Sequence, residues 1–267
     1  EMCIRDSKKD EWRQRAVNSF DKFIDVRHKS DLEVSLIARE KEIDIAIDLK
    51  GYTRDCRPKI FAESCAPIQV SFLGYPGTMA TDFIDYLIAD QTLIPKEKRT
   101  HYSEKIAYMP YSYQVNVFDR DVSQDPVSRY EHGLPKTGFV FCCFNNNYKI
   151  TLSVFSIWMR ILLAVEDSVL WLLANESITK KNLIQEAEKF GINKDRLVFA
   201  EMAPVEDHLN RLRLADLFID TLPCNAHTTA SDALRMGVPV LTCIGESFAS
   251  RVAASLLSAL KLHSLIT

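Results

Sequence analysis

From Leu222 to Leu234 the chain reads Leu-Pro-Cys-Asn-Ala-His-Thr-Thr-Ala-Ser-Asp-Ala-Leu, directly after an apolar strand-like run from Ala215 to Thr221 and directly before a helical pattern. His227, Thr228 and Thr229 therefore fall at the opening turn of a helix. There, backbone N–H groups lack intrahelical acceptors, and the positive end of the helix dipole favours an anion such as phosphate. The two threonine hydroxyls add donors, and Asp232, one turn on, is placed to accept from a ribose hydroxyl. An ordinary threonine-capped helix would account for the same residues.

A second cluster upstream has the same design. Phe139 to Phe144 is a continuous apolar run of buried-strand length, followed by Asn145, Asn146, Asn147, Tyr148 and Lys149, and then by a helix beginning near Thr151. A lysine just past the carboxyl end of a parallel strand is poorly explained by packing, but it can neutralise a diphosphate that departs with negative charge. A solvated surface lysine is the alternative. Two such loops in one α/β domain point to a nucleotide more strongly than either alone.

The elements that must position these loops follow from periodicity. Asp10 to Arg27 and Asp31 to Glu40 have helical spacing, and Ile43, Ile45, Ile47 and Leu49 alternate as a strand. Pro58 to Cys65 is expected to form a short helix and Ile68 to Leu73 a strand. Gly74-Tyr-Pro-Gly-Thr78 is expected to be a tight turn, with strands at Tyr86 to Ala89 and Lys105 to Met109. From Ser112 to Lys136 periodicity fades and turn-forming residues accumulate, which places a domain boundary there. Beyond it, strands 139–144, 168–173, 196–200, 215–220 and 238–243 alternate with helices 151–165, 179–190, 205–213, 228–236 and 247–260. This alternation predicts a parallel sheet covered on both faces, with ligands outside the carboxyl ends of its strands. The Asn145 to Lys149, Glu201 to His208 and Cys224 to Thr229 loops lie at those ends. No G-x-G-x-x-G or P-loop occurs, which argues against a dinucleotide oxidoreductase or an NTPase.

Composition bounds the rest. The 267 residues are 47% hydrophobic and 26% charged, enough for a sizeable core, and a net charge of −3 gives no cationic field for nucleic acid. The seven cysteines include no C-x-x-C pair and read as reduced thiols of a cytoplasmic protein. No apolar run is long enough for a membrane span and no signal-peptide core opens the chain. The chain starts on Glu1 and stops at Thr267 just after a helix, so a fragment is expected.

Several segments together resemble the catalytic region of the O-linked N-acetylglucosamine transferase family. They are Asp48-Leu-Lys-Gly-Tyr-Thr53, Ala66-Pro-Ile-Gln-Val70, Leu73-Gly-Tyr-Pro-Gly-Thr78, Tyr102-Ser-Glu-Lys105, Phe144 to Ile150, Ser168-Val-Leu-Trp-Leu172, His227-Thr-Thr229 and Ala249-Ser-Arg-Val-Ala-Ala254. The resemblance runs from about Ile43 to Thr267. It implies an α/β fold of GT-B type, with two Rossmann-like domains facing across a cleft. A partial acceptor-side domain would occupy residues 1–112, a linker 113–137 and a nucleotide-sugar domain 138–267.

By the same resemblance, Lys149 is similar to the catalytic lysine that stabilises the departing diphosphate, and His227, Thr228 and Thr229 to the phosphate-binding turn. Asp232 resembles the ribose contact, Ala203 the residue whose backbone reads the uracil edge, and His208 the histidine beside the base. Arg211 resembles a nucleotide-side cation, with a solvated charge as the alternative. Leu73, Gly74 and Pro76 belong to a turn that resembles the wall against the sugar. Asn146 stands where animal members carry glutamine, which shortens a sugar or phosphate contact by one methylene, and Val205 stands where they carry lysine. The histidine-bearing segment that opens the family's first domain is absent, as are the tetratricopeptide repeats expected upstream.

The resemblance implies inverting transfer of N-acetylglucosamine from UDP-N-acetylglucosamine to Ser or Thr hydroxyls of proteins, with the fragment alone inactive. No metal or other cofactor is expected. The D-x-D sequence Asp119-Arg-Asp121 reads as a solvated turn. Partners are the UDP-sugar donor and protein or peptide acceptors, with neither nucleic acid nor membrane. A GT-B transferase using another sugar, a UDP-sugar epimerase and a non-catalytic UDP-binding scaffold are the alternatives.

Overall fold

The computed structural model describes residues 2–4, 11–116 and 122–267. Packing divides the chain into two units. One comprises the chain up to Ile88 with Arg99–Ala107, and the other Ala89–Lys98 with Tyr108–Thr267. Residues 89–98 and 108–112, read from periodicity as part of the first domain, thus pack with the second unit. The buried Asp90 carboxylate is one reason, since it accepts from the N–H groups of Thr92, Leu93 and Tyr113 and from the Ser255 hydroxyl.

In the first unit, β1 (Met2–Ile4) pairs in parallel with β2 (Phe23–Asp25), and α1 (Glu11–Asn18) lies between them in sequence. The single helix expected from Asp10 to Arg27 therefore ends early. Ser19 turns its hydroxyl back onto the Arg15 carbonyl at 2.7 Å and its N–H onto Ala16, closing the last turn before the β-prone Phe23-Ile24 pair. The next helix, α2 (Asp31–Glu40), spans the residues its apolar spacing predicts and is capped reciprocally. Ser30 Oγ accepts the Glu33 N–H, and the Glu33 carboxylate accepts the Ser30 N–H at 2.7 Å. A four-stranded sheet follows in chain order: β3 (Ile45–Asp48), β4 (Ile68–Ser71), β5 (Tyr86–Ala89) and β6 (Lys105–Tyr108). β3–β4 and β4–β5 are parallel, and the short α3 (Lys59–Ala62) connects β3 to β4.

The second unit alternates strand and helix. Its elements are β7 (Phe139–Cys143), α4 (Leu152–Ala164), β8 (Ser168–Leu173), α5 (Ser177–Lys189), β9 (Leu197–Ala200), α6 (Val205–Leu212), β10 (Leu217–Ile219), α7 (Thr228–Arg235), β11 (Val240–Leu241) and α8 (Val252–Ala259). β7 and β8 are buried on both faces, as strands of a parallel sheet covered by helices must be. The helix expected over 247–260 breaks into a single 3-10 turn at Phe248–Ser250 and then α8, because Ser247 and Ser250 cap one another.

All pairings in this sheet are parallel, in the order β11-β10-β7-β8-β9. The chain winds outward through β7, β8 and β9, then returns to lay β10 and β11 on the other side of β7. The carboxyl ends of β7 and β10 therefore flank the point where the strand order reverses, the usual ligand position in such sheets.

Candidate functional site

The loops that follow β7 and β10 meet around one carboxylate. Asp220 follows β10, and its Oδ1 accepts from the N–H groups of Ala226 (2.6 Å) and Thr221 (2.7 Å) and from Asn145 Nδ2 (3.3 Å). Its Oδ2 accepts from the Thr242 hydroxyl at 2.7 Å. Burial pushes the Asp220 carboxyl up to about 6, opposed by these same hydrogen bonds. Asn145, buried just past β7, also donates to Thr221 Oγ1 at 2.7 Å, and its Oδ1 accepts the Thr229 hydroxyl at 2.5 Å.

That last contact reaches the first turn of α7. His227 is the N-cap, and no side chain caps the helix, so the threonine-capped alternative fails. The N–H groups of the opening turn remain suited to an anion. Thr228 is exposed, whereas the Thr229 proton is committed to Asn145, which leaves that hydroxyl only as an acceptor. Lys149 Nζ donates to the backbone carbonyl of Asn225 at 2.8 Å. It is partly buried and anchored rather than freely solvated, with two further N–H donors to offer. His227 Nε2 lies 3.4 Å from the Ala249 carbonyl, and burial, helped by the Lys149 charge, holds its pKa down at about 4. The fully buried Asn225 donates Nδ2 to the Thr221 carbonyl at 2.8 Å, while its Oδ1 has no hydrogen-bond partner.

The neighbouring residue on β7's end leads to a second cluster. Phe144 meets His208 edge to face at 5.2 Å between ring centres, and the Arg211 guanidinium sits 5.3 Å over the Phe144 ring. Arg211, only 5% exposed, donates to His208 Nδ1 through Nε (3.2 Å) and Nη2 (2.9 Å) and to the Glu201 carbonyl through Nη1 (2.8 Å). A guanidinium cannot accept, so His208 is neutral with its proton on Nε2. Burial, then the Arg211 charge, lowers His208 to about 4. Arg211 is therefore not the solvated charge that its place on a helix allowed. Ala203 lies partly exposed in the loop between β9 and α6, where Met202 N–H donates to Asn175 Oδ1 at 2.8 Å.

The remaining candidates lie around these two clusters or apart from them. Asn146 and Val205 are exposed, and Asp232 is partly exposed on the second turn of α7. Leu73, Gly74 and Pro76 belong to the first unit, where Leu73 has φ +70. A Cβ on Gly74 would lie 2.2 Å from the Leu49 carbonyl oxygen, so only glycine fits that crossing. The turn is held by the buried Glu104, which accepts from Met79 N–H (2.5 Å) and the Thr78 hydroxyl (2.7 Å). Asp119 and Asp121 lie outside the described residues. Among the described residues no three His, Cys, Asp or Glu side chains group as metal ligands would.

Sequence reasoning missed Asp220, Thr242 and Asn225, and it passed over Asn145 in favour of Asn146. The available signal was a lone carboxylate closing the apolar run Leu217-Phe-Ile219, just before the anion loop. An acid at a parallel strand's carboxyl end needs donors there or a ligand.

The fold and site together define an α/β protein with a five-stranded parallel sheet and a cluster of polar groups at its strand-order switch point. The chain belongs to glycosyl transferase family 41, whose model matches residues 2–124 and 119–267. It is 40% identical, over 92% of its length and 26% of the relative's, to the probable UDP-N-acetylglucosamine–peptide N-acetylglucosaminyltransferase SEC of Arabidopsis thaliana. It is 28% identical to the UDP-N-acetylglucosamine–peptide N-acetylglucosaminyltransferase of Caenorhabditis elegans, over 96% of this chain and 32% of that one. A mutant of the Thermobaculum terrenum O-GlcNAc transferase superposes with a TM-score of 0.92 at 31% identity, covering 99% of this chain and 50% of that one. The fold is thus that of the GT-B glycosyltransferases. The chain spans about a quarter to a third of the length of these curated relatives.

Proposed function

We propose that the protein transfers N-acetylglucosamine from UDP-N-acetylglucosamine to serine or threonine hydroxyls of proteins, with inversion and without a metal. The observation that carries this reading is the anchored Lys149 ammonium, which lies in the loop at the β7–β10 switch point together with the uncapped first turn of α7. Family membership and the relatives' names support the donor and the acceptor class. In the reaction the acceptor hydroxyl oxygen attacks the anomeric carbon and gives up its proton to solvent, while the carbon–oxygen bond to UDP breaks and its electron pair leaves on the β-phosphate. Catalysis then rests on holding the reactants and on stabilising that charge, which Lys149 and the N–H groups near Thr228 are placed to do.

In this reading the neutral His208, with Nε2–H as donor, and Arg211 serve the base side with the Ala203 backbone. Asp232 takes the ribose, Asn146 the sugar or phosphate, and Leu73, Gly74 and Pro76 the sugar. The free thiols among the described residues suit a reducing cytoplasm. Among the described residues no helix is long and apolar enough to cross a membrane.

Donor consumption by the full-length protein, followed with and without an acceptor peptide, tests the proposal. Sugar transferred to peptide hydroxyls is the expected result. Isomerised or hydrolysed donor without transfer overturns it in favour of an epimerase or hydrolase, and an untouched donor in favour of a scaffold.

A further inference from the structure

Asp220, like Asp90, is a buried carboxylate of the second unit that accepts four hydrogen bonds, and the mechanism above does not employ it. Four groups from four separate places converge on it: Asn145 past β7, the Thr221 N–H past β10, the Ala226 N–H in the anion loop and the Thr242 hydroxyl past β11. All are neutral donors. Lys149, the cation of this loop system, does not pair with it and is spent on a backbone carbonyl instead. A buried carboxylate kept without a countercharge is costly, and this one resists ionisation up to about 6.

We infer that Asp220 is a positioning residue that assembles the anion cradle, fixing the Ala226 amide directly and the Thr229 hydroxyl through Asn145 so that the first turn of α7 meets a nucleoside diphosphate. The inference rests on the nucleotide-sugar reading above. The relay is short and directional: Asp220 Oδ1 orients Asn145 Nδ2, and the opposite end of that amide accepts the Thr229 hydroxyl at 2.5 Å. With Asn145 Nδ2 fixed by two acceptors, its oxygen can only face α7. The arrangement also leaves the Lys149 charge undivided for the ligand.

Calorimetric titration of the full-length protein with UDP tests this. Asp220→Ala orphans all four donors and is expected to weaken UDP binding about tenfold or more, equivalent to about 1.4 kcal/mol. Asp220→Asn keeps an acceptor at the Oδ1 position and turns its amide toward Thr242, so it should restore affinity to within about threefold. Asn145→Ala breaks only the relay and should itself weaken UDP about tenfold. The double variant should be no weaker than Asp220→Ala alone. A folded Asp220→Ala variant that binds UDP within about twofold of the unaltered protein overturns the inference, as do losses that multiply in the double variant. Should Asp220→Ala not fold, Asn145→Ala decides alone, and near-normal affinity there refutes the relay. If the unaltered protein itself binds no UDP, the nucleotide reading fails first and the inference with it.

Discussion

Lys149 Nζ donates to the carbonyl of Asn225 at 2.8 Å, joining two loops that lie 76 residues apart in the chain. The bond positions the ammonium without neutralising it, because the acceptor is a dipole and not a carboxylate. The charge is felt locally, since it helps keep His227 deprotonated.

On the proposed mechanism, replacing Lys149 by alanine in the full-length protein removes a charge-assisted contact to the leaving group. Turnover is expected to fall on the order of 10²- to 10³-fold, comparable to the loss of one oxyanion donor. Steady-state kinetics measure it. Turnover within about twofold of the unaltered enzyme would return Lys149 to a structural role.

Chelation tests how the diphosphate charge is met. With Lys149 and the α7 amides doing this, transfer should continue in excess EDTA. Loss of activity that Mg²⁺ or Mn²⁺ restores would refute the mechanism and turn attention to Asp119 and Asp121.

The base side makes a separate prediction. Arg211→Ala removes the group that pins His208 Nδ1 as an acceptor and that helps depress its protonation. UDP affinity should fall about tenfold, and the His208 imidazole should titrate above its present value of about 4. NMR titration of the ring and calorimetry read the two effects. An unmoved His208 would mean that burial alone sets its protonation.

Stability should depend on pH through the same histidine. In the fold His208 is lowered to about 4 from 6.5, so the neutral ring favours the native state at pH 7. That contribution is lost as pH falls through the window from 6.5 towards 4, because the unfolded chain binds the proton first. His227 acts with the same sign and Asp220, whose pKa is raised, with the opposite one. Only a difference between variants therefore isolates His208. His208→Gln, which keeps an acceptor for Arg211, should lose less in melting temperature between pH 7 and pH 5 than the unaltered protein does. Equal losses would contradict the assignment.

Local chemistry was legible wherever it acts over a few residues. The Asp31 to Glu40 helix, the strand-helix alternation beyond Phe139 and the helix start at His227 all follow from near-neighbour spacing. Local reasoning failed where a few polar atoms override periodicity. Ser19 closes α1 within a run whose apolar spacing continues to Arg27, and Ser247 with Ser250 splits the last helix.

The sequence by itself determined the composition of the site: which loops carry the amides, the lysine and the histidine, and that each sits between a strand and a helix. Periodicity reports only which face of an element is apolar, so it carries that much and no more. Only the tertiary structure decided that β10 lies beside β7, and this adjacency places the Lys149 loop against the Asn225 loop. It likewise decided that Asp220 gathers donors from three strand ends, and that Arg211 is buried against His208 and Phe144 rather than solvated. Strand order and side-chain partnership are set by the free energy of burying distant surfaces together and satisfying the polar groups caught between them. No local pattern in the chain records that sum.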